Sequence, residues 1–297
     1  MFKLIVYLIK CKFQNVLAFI LLFVISIPVF PQHVMEFSNA AFLEKLKKDS
    51  SYTELKRKIV ARYNHSEPGG WGAFVNGIVE EISNHHKYIA LTFDGCGGKN
   101  GNGYDKELID FLRHEKIPAT LFISGKWIDA NFATFINLSR DTLFDIENHG
   151  LNHKPCSING KSEYGIQGTK SAEEAFDEIV ANARKIKSIT NSDPKFFRSA
   201  TTFIDEACVK MASEMGIRVV SYNVLAGDAV PDAAATVIEG DVLGKIKPGA
   251  IVLMHLNHPE WNTFEALQNI VPKLRQQGYI FVRLKDFKSV DEKGVLK

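Results

Sequence analysis

From residue 88 onward, short apolar runs alternate with longer amphipathic stretches. Between the runs, segments such as 106–113 and 172–186 carry apolar side chains at helical spacing. Strands that alternate with helices in this way pair in parallel through right-handed crossovers. Seven such units predict an α/β fold, a barrel with an irregular seam rather than an open sheet. The predicted strands are 88–93, 119–123, 143–146, 196–197, 218–222, 250–254 and 280–282.

Polar side chains end or follow several of these apolar runs. In parallel α/β barrels the reactive groups gather where the strands end, on the loops that lead to the helices. We therefore expect these side chains to share one rim of the barrel. Two histidines four residues apart can bind one zinc-like ion, and the whole set suits metal-assisted hydrolysis. The set is Asp94, His149 with His153, Arg198, Asn223 with Asp228, and His255.

The N-terminus differs from the rest of the chain. Three lysines lie within the first twelve residues, and residues 16–30 then carry no charge. A basic start before an apolar run of this length is typical of a secretory signal. However, residues 2–9 are also apolar, and no small-x-small cleavage site directly follows Phe30. We expect residues 1–40 to be a signal peptide or an uncleaved membrane anchor, with the body of the protein periplasmic or extracellular.

Residues 41–86 form a polar, helix-prone preamble that is broken at Pro68-Gly69-Gly70, and residues 87–290 form the predicted catalytic domain. The composition, 45% hydrophobic and 24% charged, is ordinary for a globular protein. Lysine and arginine total 36 against 34 acidic residues, a net charge of +2 without a basic block. This balance argues against nucleic acid as a partner, and the sequence leaves the oligomeric state open.

The cysteines fit an exported protein. Cys96 and Cys156 each closely follow a predicted catalytic segment, so their loops are candidates for a disulfide. The alternative is that Cys96 acts as a nucleophile or a metal ligand. Cys208 lies in a helical pattern and is predicted to be a buried thiol, and Cys11 lies in the leader.

Taken together, these segments resemble the polysaccharide deacetylases with the NodB-homology domain, carbohydrate esterase family 4. The resemblance covers about residues 88–287, roughly two thirds of the chain. Its first, second and last motifs are specific, and its third and fourth are loose. The matching segments are Thr92-Phe93-Asp94-Gly95, His149-Gly150-Leu151-Asn152-His153, Phe197-Arg198-Ser199, Asp228 after 223–227, and Leu253-Met254-His255.

The resemblance implies a distorted seven-stranded (β/α) barrel that hydrolyses N-acetyl or O-acetyl groups on a sugar polymer with a divalent metal, zinc first and cobalt, nickel or manganese next. Asp94 would take a proton from water, and His255 would protonate the departing amine. Asp228 would keep the His255 imidazole charged, and Arg198 would hold Asp94 through a bidentate pair. The plainer alternatives are a helix cap for Asp94, a rim salt bridge for Arg198, loop packing for His255 and a turn for Asp228.

One departure affects the metal site. The family pattern places a second, metal-binding aspartate where this chain has Gly95. The third protein ligand beside His149 and His153 is therefore open among Asp94, Cys96 and Glu147. We assign Asp94 provisionally to this position as well as to catalysis.

Three functions compete on this pattern. The first is deacetylation, with peptidoglycan preferred over chitin-like chains and acetylated xylan because the protein is expected to be exported. The second is a non-catalytic sugar-binding barrel that has lost a metal ligand. The third, hydrolysis of small cyclic amides, fits poorly with export. Aromatic residues that could stack on sugars are Trp127, Tyr164, Tyr222 and Trp261.

Overall fold

The computed structural model describes residues 36–289 and 294–297. The expected signal or anchor, residues 16–30, lies outside this range, as does Cys11. Among the described residues, no helix combines the length and apolar character needed to cross a bilayer.

The centre of the fold is a curled parallel sheet. The strands in chain order are β1 (Trp71–Gly72), β2 (Glu81–Ile82), β3 (Tyr88–Gly95), β4 (Ala119–Ile123), β5 (Phe144–Asn148), β6 (Phe196–Phe197), β7 (Ile204–Asp205), β8 (Arg218–Val219), β9 (Val224–Leu225), β10 (Ala250–His255), β11 (Ile280–Phe281) and β12 (Val295–Leu296). Within the described residues the path of the central sheet contains seven strands, in the order β8-β6-β5-β4-β3-β10-β9, and β11 pairs in addition with the start of β3. This curled sheet confirms the predicted barrel-type α/β fold.

Helices cover the outside of this sheet. Several begin after a residue whose side chain accepts a hydrogen bond from a backbone N–H of the first turn. The Asp105 side chain accepts from Leu108 in this way, and the Ser124 side chain accepts from Trp127. A π-helical turn, Asp177–Ala181, continues α6 into α7. The helices are α1 (Asn39–Leu46), α2 (Ser50–Tyr63), α3 (Lys106–His114), α4 (Gly125–Ala130), α5 (Phe132–Ser139), α6 (Ala172–Phe176), α7 (Asn182–Thr190), α8 (Glu206–Glu214), α9 (Ala235–Lys245) and α10 (Thr263–Gln276).

The preamble packs directly against the barrel. Phe42, Leu46 and Tyr52 are buried in one cluster with side chains of α6 and α8. A buried lysine on α7, Lys185, pairs with Asp129 and donates to Asn39, the first residue of α1, at 2.6 Å. The preamble and the barrel therefore share a hydrophobic core.

The predicted strand over 218–222 is shorter in the structure. β8 ends at Val219, and a further strand that was not predicted, β9, begins at Val224. Between them the side-chain amide oxygen of Asn223 accepts from the backbone N–H of Ile251 at 2.9 Å. β8 pairs with β6 and β9 pairs with β10, so the chain passes from one end of the sheet to the other between them.

Candidate metal centre and active site

The ends of neighbouring strands bring the predicted residues to one rim. In the parallel pairing of β10 with β3, His255 lies opposite Asp94. β5 ends at Asn148, directly before His149, and β6 ends at Phe197, directly before Arg198. These two strand ends are paired, with Asn148 opposite Phe197. Asp94, His149, His153 and His255 all line one cavity of about 770 Å³. The predicted shared rim is therefore present for these residues.

His149 is fixed by a backbone contact. Its Nδ1 lies 2.8 Å from the carbonyl oxygen of Arg198. Because a carbonyl only accepts, Nδ1 carries a proton, and Nε2 is the nitrogen available to a metal ion. Nε2 lies 3.8 Å from the Cys96 sulfur and 3.6 Å from the Asp94 carboxylate. The ring of His153 meets that of His149 edge-on, with 4.9 Å between centroids.

Cys96 completes a group of three donors. Its sulfur and one ring nitrogen each from His149 and His153 lie within 4.8 Å of one another. Burial raises the pKa of the Cys96 thiol, but the charge of His153 and hydrogen bonds from His149, His153 and His255 outweigh it. The net effect places the Cys96 pKa well below its usual range. This arrangement favours a thiolate, the form that binds metals.

The surroundings of Gly95 do not favour a metal-binding side chain at that position. A Cβ at this position would lie 2.9 Å from Cδ1 of Ile123 and 3.6 Å from both Leu256 and Trp127. A side chain at position 95 would therefore begin in apolar surroundings, where a carboxylate is poorly solvated. After Cys96 the chain passes close to the backbone of α4, since a Cβ on Gly97 would lie 2.4 Å from the Trp127 nitrogen.

The donor set fits a zinc-type ion. One thiolate and two imidazoles are suitable ligands for such a site, and the hydrogen bond that Nδ1 of His149 donates to the carbonyl oxygen of Arg198 orients its ring. Glu147, one of the three candidates, instead accepts bonds from the backbone N–H groups of Lys195 and Phe196, each at 2.8 Å. Asp94, provisionally assigned to the third position, is not part of the converging group, although its carboxylate lies 3.6 Å from Nε2 of His149. The geometry therefore favours Cys96 for this position.

Asp94 instead pairs with Arg198. The two are buried, and Nη1 of Arg198 donates to Oδ1 of Asp94 at 2.8 Å. The second terminal nitrogen donates to the carbonyl oxygen of Ser221 at 2.9 Å, so the expected bidentate pair is a single bond. The guanidinium carbon also lies 4.2 Å from the centre of the Phe122 ring. Arg198 is therefore a buried residue that holds the carboxylate, not a rim salt bridge.

His255 and Asp228 form a second pair. The Asp228 carboxylate accepts from the backbone N–H of His255 at 2.7 Å and lies 3.1 Å from its Nδ1. Burial lowers the pKa of His255, but the charge of Asp228 and its hydrogen bond raise it more. The pKa of His255 lies well above its usual value, which favours the protonated imidazole. A protonated imidazole beside the cavity is a suitable proton donor.

A buried glutamate that the sequence analysis missed supports the histidine loop. The Glu178 carboxylate accepts from the backbone N–H groups of Asn152 and Lys154, each at 3.0 Å. Burial raises the pKa of Glu178, whereas those two hydrogen bonds lower it. Burial is the larger effect, and the pKa is raised to about 7. Glu178 lies in the middle of an otherwise unremarkable helical segment, so no local pattern distinguishes it. His153 itself has a positive φ of 53°, and this bracing helps to hold that conformation.

The remaining predictions have mixed outcomes. Cys96, Cys156 and Cys208 are free thiols, so the Cys96–Cys156 disulfide is not formed. Cys96 faces the histidines, whereas Cys156 is buried beside Cys208, which confirms the predicted burial of Cys208. Trp127 is fully buried in the core and cannot stack on a ligand. Tyr164, Tyr222 and Trp261 do line the cavity.

Comparison with known proteins agrees with this geometry. The model of the family described as polysaccharide deacetylase matches residues 81–220. A peptidoglycan-N-acetylglucosamine deacetylase from Bacillus cereus is 27% identical over 223 residues, which cover 74% of this chain and 94% of that protein. A peptidoglycan-N-acetylmuramic acid deacetylase from Bacillus subtilis is 25% identical over 75% of this chain and 81% of that protein.

Solved structures of the same class share the fold. A family 4 pseudoenzyme from Bacillus anthracis aligns with a TM-score of 0.60 at 25% identity, over 72% of this chain and 69% of that one. A mutant of that protein with restored enzymatic activity aligns with a TM-score of 0.60 at 27% identity, over 72% and 71% of the two chains. The matched family model, the named relatives and the shared half-barrel lead to one conclusion. Residues 81–220 of this chain form a polysaccharide deacetylase domain, and the barrel around them has the fold of carbohydrate esterase family 4.

Proposed function

We propose that this protein is a metal-dependent hydrolase that removes acetyl groups from an N-acetylated glycan, with peptidoglycan as the first candidate. The observation that carries the proposal is the group of Cys96, His149 and His153 in one cavity with Asp94 and His255. The names of the relatives from Bacillus cereus and Bacillus subtilis support peptidoglycan as the polymer. Export of the chain, through residues 1–40, is part of the same proposal.

Cys96, His149 and His153 would hold the ion. A divalent ion in such a site supplies a water of lowered pKa and a Lewis acid for the acetyl carbonyl. Zinc is the first candidate because a thiolate with two imidazoles suits it better than it suits hard, oxygen-preferring ions.

The remaining residues divide the proton transfers. Asp94 accepts a proton from the attacking water, and Arg198 holds its carboxylate in place by the bond at 2.8 Å. His255 donates a proton to the amide nitrogen as the carbon–nitrogen bond breaks, so that acetate and a free amine leave. Asp228 keeps His255 protonated and oriented. Each step uses a group that the fold holds at the cavity.

The alternative is a non-catalytic sugar-binding barrel. Gly95 in place of the usual aspartate favours this alternative, and so does the similarity to the Bacillus anthracis pseudoenzyme. Cys96 argues against it, because the converging thiol restores a third donor.

Acetate release from peptidoglycan and from N-acetylchitooligosaccharides tests the proposal. We expect release that a chelator abolishes, that added zinc restores and that His149→Ala lacks. Preference for peptidoglycan over chitin oligomers would support the polymer assignment. Sugar binding without acetate release in the zinc-loaded protein would establish the non-catalytic alternative instead.

A further inference from the structure

A group of aromatic side chains lies beside the catalytic cavity. Trp71 and Phe203 are 5.9 Å apart between centroids, Phe203 and Tyr164 are 5.8 Å apart, and Phe74 and Tyr222 are 5.2 Å apart. Tyr164 is 76% exposed and Phe74 is 53% exposed. Large apolar rings left in water beside a cavity are typical of ligand-binding surfaces. We call Trp71, Phe74, Tyr164, Phe203 and Tyr222 the aromatic surface.

The backbone holds this surface in place. β1 and β7 pair antiparallel with Trp71 opposite Asp205, which brings the preamble next to Phe203. Tyr164 lies at the tip of a tight turn, closed by mutual backbone bonds between Glu163 and Ile166 of 3.2 and 2.8 Å. Its φ is +49°, a conformation that a bulky side chain rarely adopts. The turn therefore presents an exposed ring at a conformational cost, which is typical of functional positions.

The aromatic surface is continuous with the catalytic cavity. Tyr164 and Tyr222 line that cavity together with Thr201 and Thr202, which follow Arg198 along the chain. One cation, Lys161, lies beside the rings, with its Nζ 5.8 Å from the centre of the Trp71 ring. A mostly neutral surface of flat rings suits a neutral ligand that combines an apolar face with hydroxyl groups. A pyranose ring has this chemistry.

We propose that the aromatic surface binds a further sugar residue of the same glycan strand, next to the residue that is deacetylated, so that the enzyme acts on chains rather than on single sugars. This inference rests on the proposed function, since it takes the glycan as the occupant. Trp71 and Phe74 lie before residue 81, outside the matched family segment, so this chain's own preamble supplies part of the subsite.

N-acetylchitooligosaccharides of one to six residues test this subsite. Initial rates of acetate release give kcat/KM for each length, and binding is measured separately in His255→Ala protein, so that the sugar is not consumed. We expect Phe74→Ala and Tyr164→Asn each to weaken binding of the longest oligomers roughly tenfold. Phe74→Ala should bind the single sugar as the parent protein does, because Phe74 does not line the catalytic cavity. Asparagine tolerates the positive φ at position 164, so this variant removes the ring without straining the turn.

Two control variants separate ring contact from general damage. Tyr164→Phe keeps the ring and should bind as the parent protein does. Ile280→Ala removes an equally exposed apolar side chain, 53% exposed, at the opposite end of β3, and should have no effect at any length. The subsite would be overturned if a variant lost the same factor of binding affinity for one sugar as for six. It would also be overturned if neither Phe74→Ala nor Tyr164→Asn lost affinity. Length-dependent binding without acetate release would retain the subsite and overturn the proposed function.

Discussion

The Nδ1 atom of His149 lies 2.8 Å from the carbonyl oxygen of Arg198, and the guanidinium of the same arginine lies 2.8 Å from Asp94. One residue thus orients a candidate metal ligand through its backbone and the candidate base through its side chain. Because β5 and β6 are paired directly before these residues, the two groups keep a fixed relative position. Precise relative placement of this kind is what catalysis by positioned groups requires.

Cobalt spectroscopy tests the role of Cys96 without an activity assay. With Co²⁺ bound, the wild type should show a near-ultraviolet thiolate-to-cobalt absorption that Cys96→Ser lacks. Cys96→Asp should bind Co²⁺ without that absorption, since a carboxylate can replace the ligand but not the thiolate. We expect Cys96→Ser to lose metal affinity by more than about a hundredfold, since loss of a supporting contact alone costs 10–100-fold.

Cys208→Ser is the matched control for this test. Cys208 is a fully buried thiol, but it lies beside Cys156 rather than beside the histidines. Its loss should leave the cobalt spectrum unchanged. An undiminished absorption in Cys96→Ser would remove Cys96 from the site and make Asp94 the leading third ligand again.

Restoring the usual aspartate at position 95 should not restore a metal site. The new side chain would begin 2.9 Å from Ile123, among apolar groups. We expect Gly95→Asp to lower the free energy of unfolding by about 1–3 kcal/mol, measured by urea denaturation. The double variant Gly95→Asp, Cys96→Ser should bind zinc no better than Cys96→Ser alone. Recovery of zinc affinity in the double variant would show that the loop can rearrange to use position 95.

Asp228→Asn should change the pH dependence of the reaction. Asp228 raises the pKa of His255, so the proton donor is present at neutral pH and is lost as the pH rises through that raised pKa. Without the charge of Asp228 the His255 pKa falls, so the alkaline limb of the kcat/KM profile should move to lower pH. Activity at pH 8 should therefore fall more than activity at pH 6.

Thr263→Ala is the control for this profile. Its hydroxyl lies 3.2 Å from the Asp228 carboxylate and carries no charge. Loss of the Thr263 hydroxyl should leave the alkaline limb of the kcat/KM profile at almost the same pH. An unchanged limb in Asp228→Asn would mean that His255 is not the proton donor whose ionisation limits the rate.

Glu178→Gln should weaken metal binding although Glu178 is not a ligand. Its carboxylate accepts backbone bonds from Asn152 and Lys154 on either side of His153. An amide has one acceptor oxygen fewer, so the loop that carries His153 is less firmly held. We expect zinc affinity to fall by about 10–100-fold, measured by competition with a chelator. Glu174→Gln, which loses a contact to the Lys154 side chain, should keep its zinc affinity.

The alternation of apolar runs and amphipathic stretches was enough to predict the parallel sheet. Six of the seven predicted strands match observed strands to within a few residues, and the exception is 218–222. The strand β9 was missed because it has only two residues and joins the sheet at the end opposite to β8. Long-range pairing of this kind has no periodic signal in the sequence.

By itself, the sequence determined which strands would end together and which reactive side chains would lie at those ends. It could do so because strand periodicity and strand ends are local properties. Only the tertiary structure showed that the Cys96 sulfur converges with the two histidines, and that Glu178 holds the histidine loop. It also brought Trp71 and Phe74 of the preamble beside the cavity. These outcomes depend on distances between side chains far apart in the chain, and packing alone fixes those distances.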